Sequence, residues 1–130
     1  MIFIDSSFFI SLFFEEDRNH ILALKTWGTI TKETSTSEDV LKETLTILSQ
    51  RKGKRSCIDA YQKIQDEIIL IPSDTQYFQT GLQLFLDPRL QKDISLTDCI
   101  TVAVCKKLNI KNILTFDRHF LSFGVKMLPR

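Results

Sequence analysis

The chain begins with a short apolar run that ends at a single carboxylate, Met1-Ile2-Phe3-Ile4-Asp5, and two serines follow at once. We interpret Ile2 to Ile4 as a buried central strand, with a helix from Ser6 onward. Asp5 then lies at the carboxyl end of a strand, where open α/β sheets place their functional sites. The rest of the sequence must show whether other carboxylates meet Asp5 at this edge.

Length and composition set the first limits on the fold. A chain of 130 residues fits one domain, residues 1–130, and such a domain buries about two thirds of its unfolded surface. Hydrophobic residues make up 43% and charged residues 25%, which argues against a disordered chain. The formal net charge is +1, so binding of nucleic acid would require a local basic patch rather than bulk attraction.

Cysteine and histidine usage gives expectations about environment and metal. The three cysteines form no C-x-x-C pair and no signal peptide is apparent, so we expect reduced thiols in a cytoplasmic protein. With only two histidines, a His-rich zinc site is not expected. No apolar run approaches the ~20 residues of a membrane span, so we expect no membrane association.

Hydrophobic patterning predicts strands that alternate with helices. Strands are predicted at 34–36, 68–71, 112–115 and 125–128, the second of them buried and the last at an edge. Ser37 is predicted to cap one helix, and Ser73-x-x-Gln76 to form a capping box for another. This alternation predicts an α/β fold with a parallel sheet and right-handed crossovers.

Four acids are predicted to share one edge of this sheet. Asp5 and Asp117 each follow a short apolar strand, and parallel neighbouring strands bring both to the same edge. Asp98 opens the helix that precedes the strand of Asp117. Glu43 lies on a helix whose buried face must touch the sheet. The four carboxylates can therefore converge.

Each acid also has a purely structural interpretation. Asp5 and Asp117 could cap the helical segments that follow them, and Asp98 fits a Ser95-x-x-Asp98 capping pattern. Glu43 could be an ordinary exposed helix residue. Taken together, these interpretations do not explain why all four acids can lie at one edge.

Electrostatics indicates what a converged cluster would bind. Two like charges ~4 Å apart repel by about 4 kcal/mol at an effective dielectric near 20. A cluster of acids therefore needs a cation or protonation. Oxygen ligands without convergent histidine or cysteine favour Mg²⁺ or Mn²⁺, and such ions typically promote phosphodiester hydrolysis.

Four sequence segments together resemble the motifs of PIN domains, and most of all those of VapC-type ribonuclease toxins. The segments run, in chain order, Ile2-Phe3-Ile4-Asp5-Ser6-Ser7, Ser37-Glu38-Asp39-Val40-Leu41-Lys42-Glu43-Thr44-Leu45, Leu96-Thr97-Asp98 and Leu114-Thr115-Phe116-Asp117-Arg118-His119-Phe120. The resemblance covers nearly the whole chain. It implies a three-layer α/β/α fold around a mainly parallel sheet of four to five strands.

The resemblance also implies an activity, a cofactor and partners. It implies a ribonuclease that cuts RNA with metal-activated water, is usually a homodimer and is inhibited by a small antitoxin. Ser6 and Thr115 match residues that support the metal site. Phe8, Phe9 and Phe13 could line an antitoxin groove, although core packing is expected for at least two of them. The acidic quartet that would bind Mg²⁺ or Mn²⁺ is matched by Asp5, Glu43, Asp98 and Asp117.

The basic residues carry a separate prediction, and the stretch from Arg51 to Arg55 matches no family motif. Residues 50–55 hold the one dense basic cluster, which is either a solvated helix connection or a phosphate-contacting edge. On the second interpretation, RNA would be held by Lys52, Lys54, Arg55 and Arg118.

Two non-enzymatic functions compete with the nuclease. A receiver-like signalling module also has a doubly wound fold, but it would need a second acid beside Asp5, where Ser6 stands. A non-catalytic RNA-binding protein could retain the fold, although the complete quartet argues against it. Within the enzyme class a DNA nuclease stays open, because no residue identifiably contacts a 2′-hydroxyl.

Overall fold

Strands and helices alternate along the chain, and the computed structural model describes all 130 residues. The strands are β1 (Ile2–Ile4), β2 (Thr34–Ser37), β3 (Ile69–Ile71), β4 (Asn112–Leu114) and β5 (Lys126–Leu128). The helices are α1 (Ser6–Phe13), α2 (His20–Thr29), α3 (Glu38–Lys52), α4 (Lys54–Glu67), α5 (Thr75–Phe85) and α6 (Leu96–Lys107). A 3₁₀ helix covers Arg118–Phe123. None of the helices combines the length and apolar character that crossing a bilayer would require.

The five strands form one parallel sheet in the order β3-β2-β1-β4-β5. The first strand is therefore the central one, and Ile4 at its end pairs with Leu114 at the end of β4. This register brings the residues that follow β1 and β4 to the same edge. Helices α1 to α4 pack with one another and α5 packs on α6, which gives the predicted three-layer α/β/α fold.

The core is built around β1 and α6. Phe3 and Ile4 are fully buried in the middle of the sheet. Seven consecutive residues of α6, Cys99 to Cys105, are buried, so this helix is covered on all sides. Phe8 and Phe9 of α1 also lie in the core. They are therefore unavailable to line a surface groove.

Two local predictions are wrong. Strand β3 is an edge strand with Ile69 43% and Leu70 45% exposed, because an apolar run alone does not distinguish a central strand from an edge strand. Helix α5 is capped by Asp74, whose carboxylate accepts from the Gln76 backbone N–H at 2.7 Å. The Ser73 backbone N–H instead donates to the Glu38 carboxylate at 2.6 Å.

Other predicted caps are present and place the starts of two helices. The Ser37 hydroxyl accepts from the Val40 N–H at the start of α3. Ser95 and Asp98 form a reciprocal capping box at the start of α6. Both helices consequently begin at fixed points near the carboxyl edge of the sheet.

Candidate active site

Asp5 is the buried centre of the acidic edge. Only 3% of the residue is exposed, and its Oδ2 accepts from the Ser7 hydroxyl at 2.8 Å and the Thr115 hydroxyl at 2.9 Å. The Ser7 backbone N–H adds a third contact at 3.3 Å, which makes Asp5 the N-cap of α1. Burial raises the pKa of the Asp5 carboxyl, and the two hydroxyl contacts oppose that rise.

A network of hydroxyl groups joins the ends of β1 and β4. Ser7 Oγ lies 3.0 Å from Thr115 Oγ1 and accepts from the Phe116 backbone N–H at 2.9 Å. Thr115 Oγ1 accepts from the Asp117 backbone N–H at 3.0 Å. The network thus fixes the position of Asp117 relative to Asp5.

Ser7 is a supporting residue that the sequence analysis missed in favour of Ser6. The signal was present, because the second residue after an N-cap is the one whose backbone N–H faces the cap side chain. Ser6 instead approaches Glu43, where its hydroxyl lowers the pKa of that carboxyl. The two serines therefore support different acids.

Asp98 is both a helix cap and a member of the acidic cluster, the two interpretations that the sequence left open. Its carboxylate accepts from the Ser95 backbone N–H at 3.3 Å as part of the capping box. The same carboxyl is half-buried near two other acids. Burial, followed by the charge of Asp5 and then that of Asp117, raises its pKa to about 6. A helix cap is thus also a member of the acidic cluster.

Glu43 joins the cluster from α3. Although the residue is largely exposed, partial loss of water raises the pKa of its carboxyl, and the negative charge of Asp5 raises it further. Asp5 therefore acts electrostatically on both Glu43 and Asp98, and the four predicted acids do lie at one edge.

Asp117 brings a histidine into the site. Its Oδ1 accepts from the His119 backbone N–H at 2.9 Å, so Asp117 caps the 3₁₀ helix. His119 Nδ1 lies 3.0 Å from the same oxygen but out of hydrogen-bond alignment, and is a buried atom without a hydrogen-bond partner. One ligand atom each from Asp98, Asp117 and His119 all lie within 4.8 Å of one another.

His119 has no neighbour in the sequence pattern that predicts a role for its side chain. Its position two residues after Asp117 becomes informative only once a tight 3₁₀ turn returns the side chain to the acid.

The predicted basic residues are divided between two places. Arg118 is exposed and directly follows Asp117. Lys52 instead pairs with Glu16 at 2.9 Å and lies over the Phe14 ring, 5.2 Å from its centroid. Lys52 is nine residues beyond Glu43 on the same helix, a separation of about 13 Å. The 50–55 cluster is therefore not in contact with the acids.

The sequence matches the family model of the PIN domain over residues 2–126. The chain belongs to the PIN-domain family. The family predicted from the four sequence segments is thereby confirmed. The α/β architecture described above agrees with the fold expected of a PIN domain.

Relatives and solved structures support the same conclusion. The chain is 29% identical over 124 residues to the 23S rRNA-specific endonuclease VapC20 of Mycobacterium tuberculosis, covering 95% of each chain. The crystal structure of Mycobacterium tuberculosis VapC20, a sarcin–ricin loop cleaving toxin, superposes with a TM-score of 0.88 at 25% identity over 96% of each chain. A toxin–antitoxin complex from Klebsiella pneumoniae shares the fold, with a TM-score of 0.67 and 16% identity over 96% of this chain and 95% of that one.

The donor set of this PIN domain fits a divalent cation. Carboxylate oxygens are the ligands that Mg²⁺ and Mn²⁺ prefer, and the acids supply most of the donors at this edge. Burial raises the pKa of Asp5, and burial together with the negative charge of Asp5 raises the pKa values of Glu43 and Asp98. A bound cation would relieve that repulsion.

Proposed function

We propose that this PIN domain is a metal-dependent endoribonuclease, the toxin of a toxin–antitoxin pair. The observation that carries the proposal is the convergence of Asp98, Asp117 and His119 beside the buried carboxylate of Asp5. VapC20, to which the chain is similar over nearly its whole length, is a 23S rRNA-specific endonuclease. We expect this protein to act on RNA in the cytoplasm.

The acids would hold the cation. Asp5, Asp98 and Asp117 are the proposed ligands of Mg²⁺ or Mn²⁺, with Glu43 as a direct or water-mediated ligand and His119 at the border of the site. When bound, such an ion supplies a nucleophilic water and neutralises charge on the phosphoryl group.

The remaining residues position these groups. Ser7 and Thr115 hold the Asp5 carboxylate in one orientation through short hydrogen bonds. Ser6 supports Glu43 from the first turn of α1. Arg118 would contact an RNA phosphate beside Asp117. Lys52, Lys54 and Arg55 stay a prediction for a more distant RNA contact, because they lie at the far end of α3 and the start of α4.

Cleavage assays on matched variants test the proposal. We expect wild-type protein to cleave ribosomal or single-stranded RNA with Mg²⁺ or Mn²⁺ but not with EDTA, and Asp5→Asn and Asp117→Asn to abolish cleavage. Asp74→Asn is the control, because Asp74 also caps a helix but has no part in the cluster. Absence of metal-dependent cleavage by the wild type, or full activity of Asp5→Asn, would contradict the proposal.

An antitoxin and a second copy of the chain are the proposed protein partners. An apolar groove of about 200 Å³ lies between α1, α2 and α4 and includes Phe13, Leu24 and Trp27. Nearby on α2, Ile21 is 62% exposed. We expect an antitoxin to cover this surface, so Leu24→Glu should weaken inhibition by the co-expressed antitoxin. Sedimentation of the free protein tests for a homodimer.

A further inference from the structure

A second cavity lies at the β5 edge of the sheet, and one of its lining residues, Arg118, directly follows Asp117 in the chain. It has a volume of about 480 Å³, within the range of ~300–1,000 Å³ typical of ligand sites. Its lining combines three cations with apolar side chains and contains no acidic residue. We call this cavity the C-terminal cleft; its principal lining residues are Arg118, Leu121, Val125, Lys126, Pro129 and Arg130.

The cleft is formed within one stretch of the sequence, residues 118–130, where the chain folds back on itself. The 3₁₀ helix carries Arg118 and Leu121, and β5 with the residues after it carries Lys126 and Arg130. Gly124 joins these segments in a left-handed conformation, φ 80°, which lets the chain turn back along the 3₁₀ helix.

The charges of the cleft are free to meet a ligand. Neither Arg118, Lys126 nor Arg130 forms an ion pair with an acid of the protein. All three residues are exposed. Lys52, from the 50–55 cluster, is by contrast already paired with Glu16.

The C-terminal cleft is connected to the acidic cluster through the chain itself. Arg118 is bonded directly to Asp117, so the cleft begins one residue from the acidic cluster. A strand whose phosphate lies at the acids would thus carry its next nucleotide into the cleft. There the aliphatic wall, including the 45% exposed Leu121, offers an apolar surface against which a base can be buried.

We propose that the C-terminal cleft binds the single-stranded RNA nucleotide adjacent to the scissile phosphate. Arg118, Lys126 and Arg130 contact its phosphates, and the apolar wall contacts its base. This inference rests on the proposed nuclease function and assigns the path of its substrate. It places the main RNA contact here rather than at residues 50–55.

Binding of a short, mixed-sequence single-stranded RNA in EDTA tests the proposal without cleavage. The triple variant Arg118→Gln, Lys126→Gln, Arg130→Gln is compared with the control Lys25→Gln, Lys32→Gln, Lys63→Gln. Both variants lose three positive charges, so they have the same net charge and differ only in where the charges are removed. Each phosphate contact adds about 0.7 to the slope of log affinity against log salt. We expect the cleft variant to lose about 2 from that slope and roughly tenfold or more in affinity, and the control to change little.

Separate outcomes distinguish the cleft from the nuclease. If wild-type protein cleaves RNA and the two triple variants bind RNA equally, the cleft is not on the RNA path. If RNA affinity depends on the cleft while no metal-dependent cleavage occurs, this binding site stands and the nuclease proposal fails. Loss of affinity for an acidic peptide without loss for RNA would reassign the cleft to a protein partner. The exposed single variants Lys126→Gln and Arg130→Gln give the same comparison if the triple variant does not fold.

Discussion

Ser7 shows how one hydroxyl can organise an acidic site. It donates to the carboxylate of Asp5, accepts from the backbone N–H of Phe116 and contacts Thr115. Because these groups follow two different strands, the serine joins parts of the chain that are far apart in sequence. Its position within α1 is set by the cap that Asp5 provides.

Replacement of Ser7 should destabilise the protein more than replacement of Ser6. Ser7→Ala leaves the Phe116 N–H without its acceptor and removes a donor from Asp5, which should lower the free energy of unfolding by about 1–3 kcal/mol. Ser6→Ala is the matched control one residue away, and its effect should be smaller. Urea unfolding measures both; equal effects would show that the network contributes little.

Asp98→Asn should stabilise the metal-free protein. The amide oxygen can still accept from the Ser95 N–H, so the cap is retained while a charge is removed from the cluster. After allowance for solvent screening we expect a gain of about 1 kcal/mol near neutral pH. Thermal unfolding in EDTA measures this gain. Mn²⁺ should raise the midpoint of the wild type and raise that of the variant less.

The pH dependence of this difference has a defined sign. The pKa of the folded Asp98 carboxyl is about 6, against an ordinary value of 3.8. Below pH 3.8 the carboxyl is protonated in both the folded and the unfolded chain, so its charge does not reduce the stability of the folded protein. The wild type should therefore lose stability relative to Asp98→Asn as pH rises between the two values, and the difference should be constant above them. A difference that shrinks with rising pH would contradict the raised pKa.

The acids were predictable, whereas their neighbours were not. Asp5 and Asp117 follow apolar strands, and the parallel-sheet rule alone brings such residues together. His119 joins the cluster through a 3₁₀ turn, and Ser7 through a contact with a residue more than a hundred positions away. Such relations depend on local turn geometry and strand order, which hydrophobic periodicity does not encode.

At the level of whole elements, the most extensive helix contact is between α5 and α6. Gly81 of α5 faces Ile100 of α6, and a Cβ built at Gly81 would lie 2.8 Å from the Ile100 backbone. The missing side chain is what allows the two helices to approach. Asp98 is on the first turn of α6, so this contact also supports the placement of the acidic site.

Two glycine substitutions should have opposite effects. Gly81→Ala must displace α6 or α5, and we expect a loss of about 1–3 kcal/mol in unfolding free energy. Gly28→Ala in α2 meets nothing within 4 Å and should stabilise by up to about 1 kcal/mol. Denaturant unfolding of both variants provides the measurement. A neutral Gly81→Ala would mean that the helices can separate at little cost.

A conspicuous run of similar residues in the sequence does not always mark a functional or central element. The 50–55 cluster is conspicuous in the sequence, but its Lys52 pairs within the protein. The basic residues beside the site are spaced along the last elements and become neighbours only in the fold. Similarly, β3 is as apolar as a central strand but lies at an edge. The role of the 50–55 cluster and the position of β3 both depend on which residues and strands are neighbours in the folded protein.

For the molecule as a whole, the cysteines provide reporters of unfolding. Cys99 and Cys105 are buried in α6, and burial raises the pKa of the Cys105 thiol to about 12. A thiol held protonated and covered is unreactive. Alkylation of the native protein should therefore label Cys57 alone, with all three labelled in denaturant. Mass spectrometry identifies the sites; rapid native labelling of Cys105 would show that α6 opens locally.

The order of the strands determines when the acidic cluster can assemble during synthesis of the chain. Of the five strands, the central one is made first, whereas its neighbour β4 is made fourth. Asp5 and Thr115, whose side chains hydrogen-bond, are 110 residues apart, and contacts of such separation form slowly. During synthesis, a nascent chain carries the first acid long before the residues that complete the cluster. The acidic cluster of this PIN domain therefore cannot assemble until the segment that carries Thr115 and Asp117 has been synthesised.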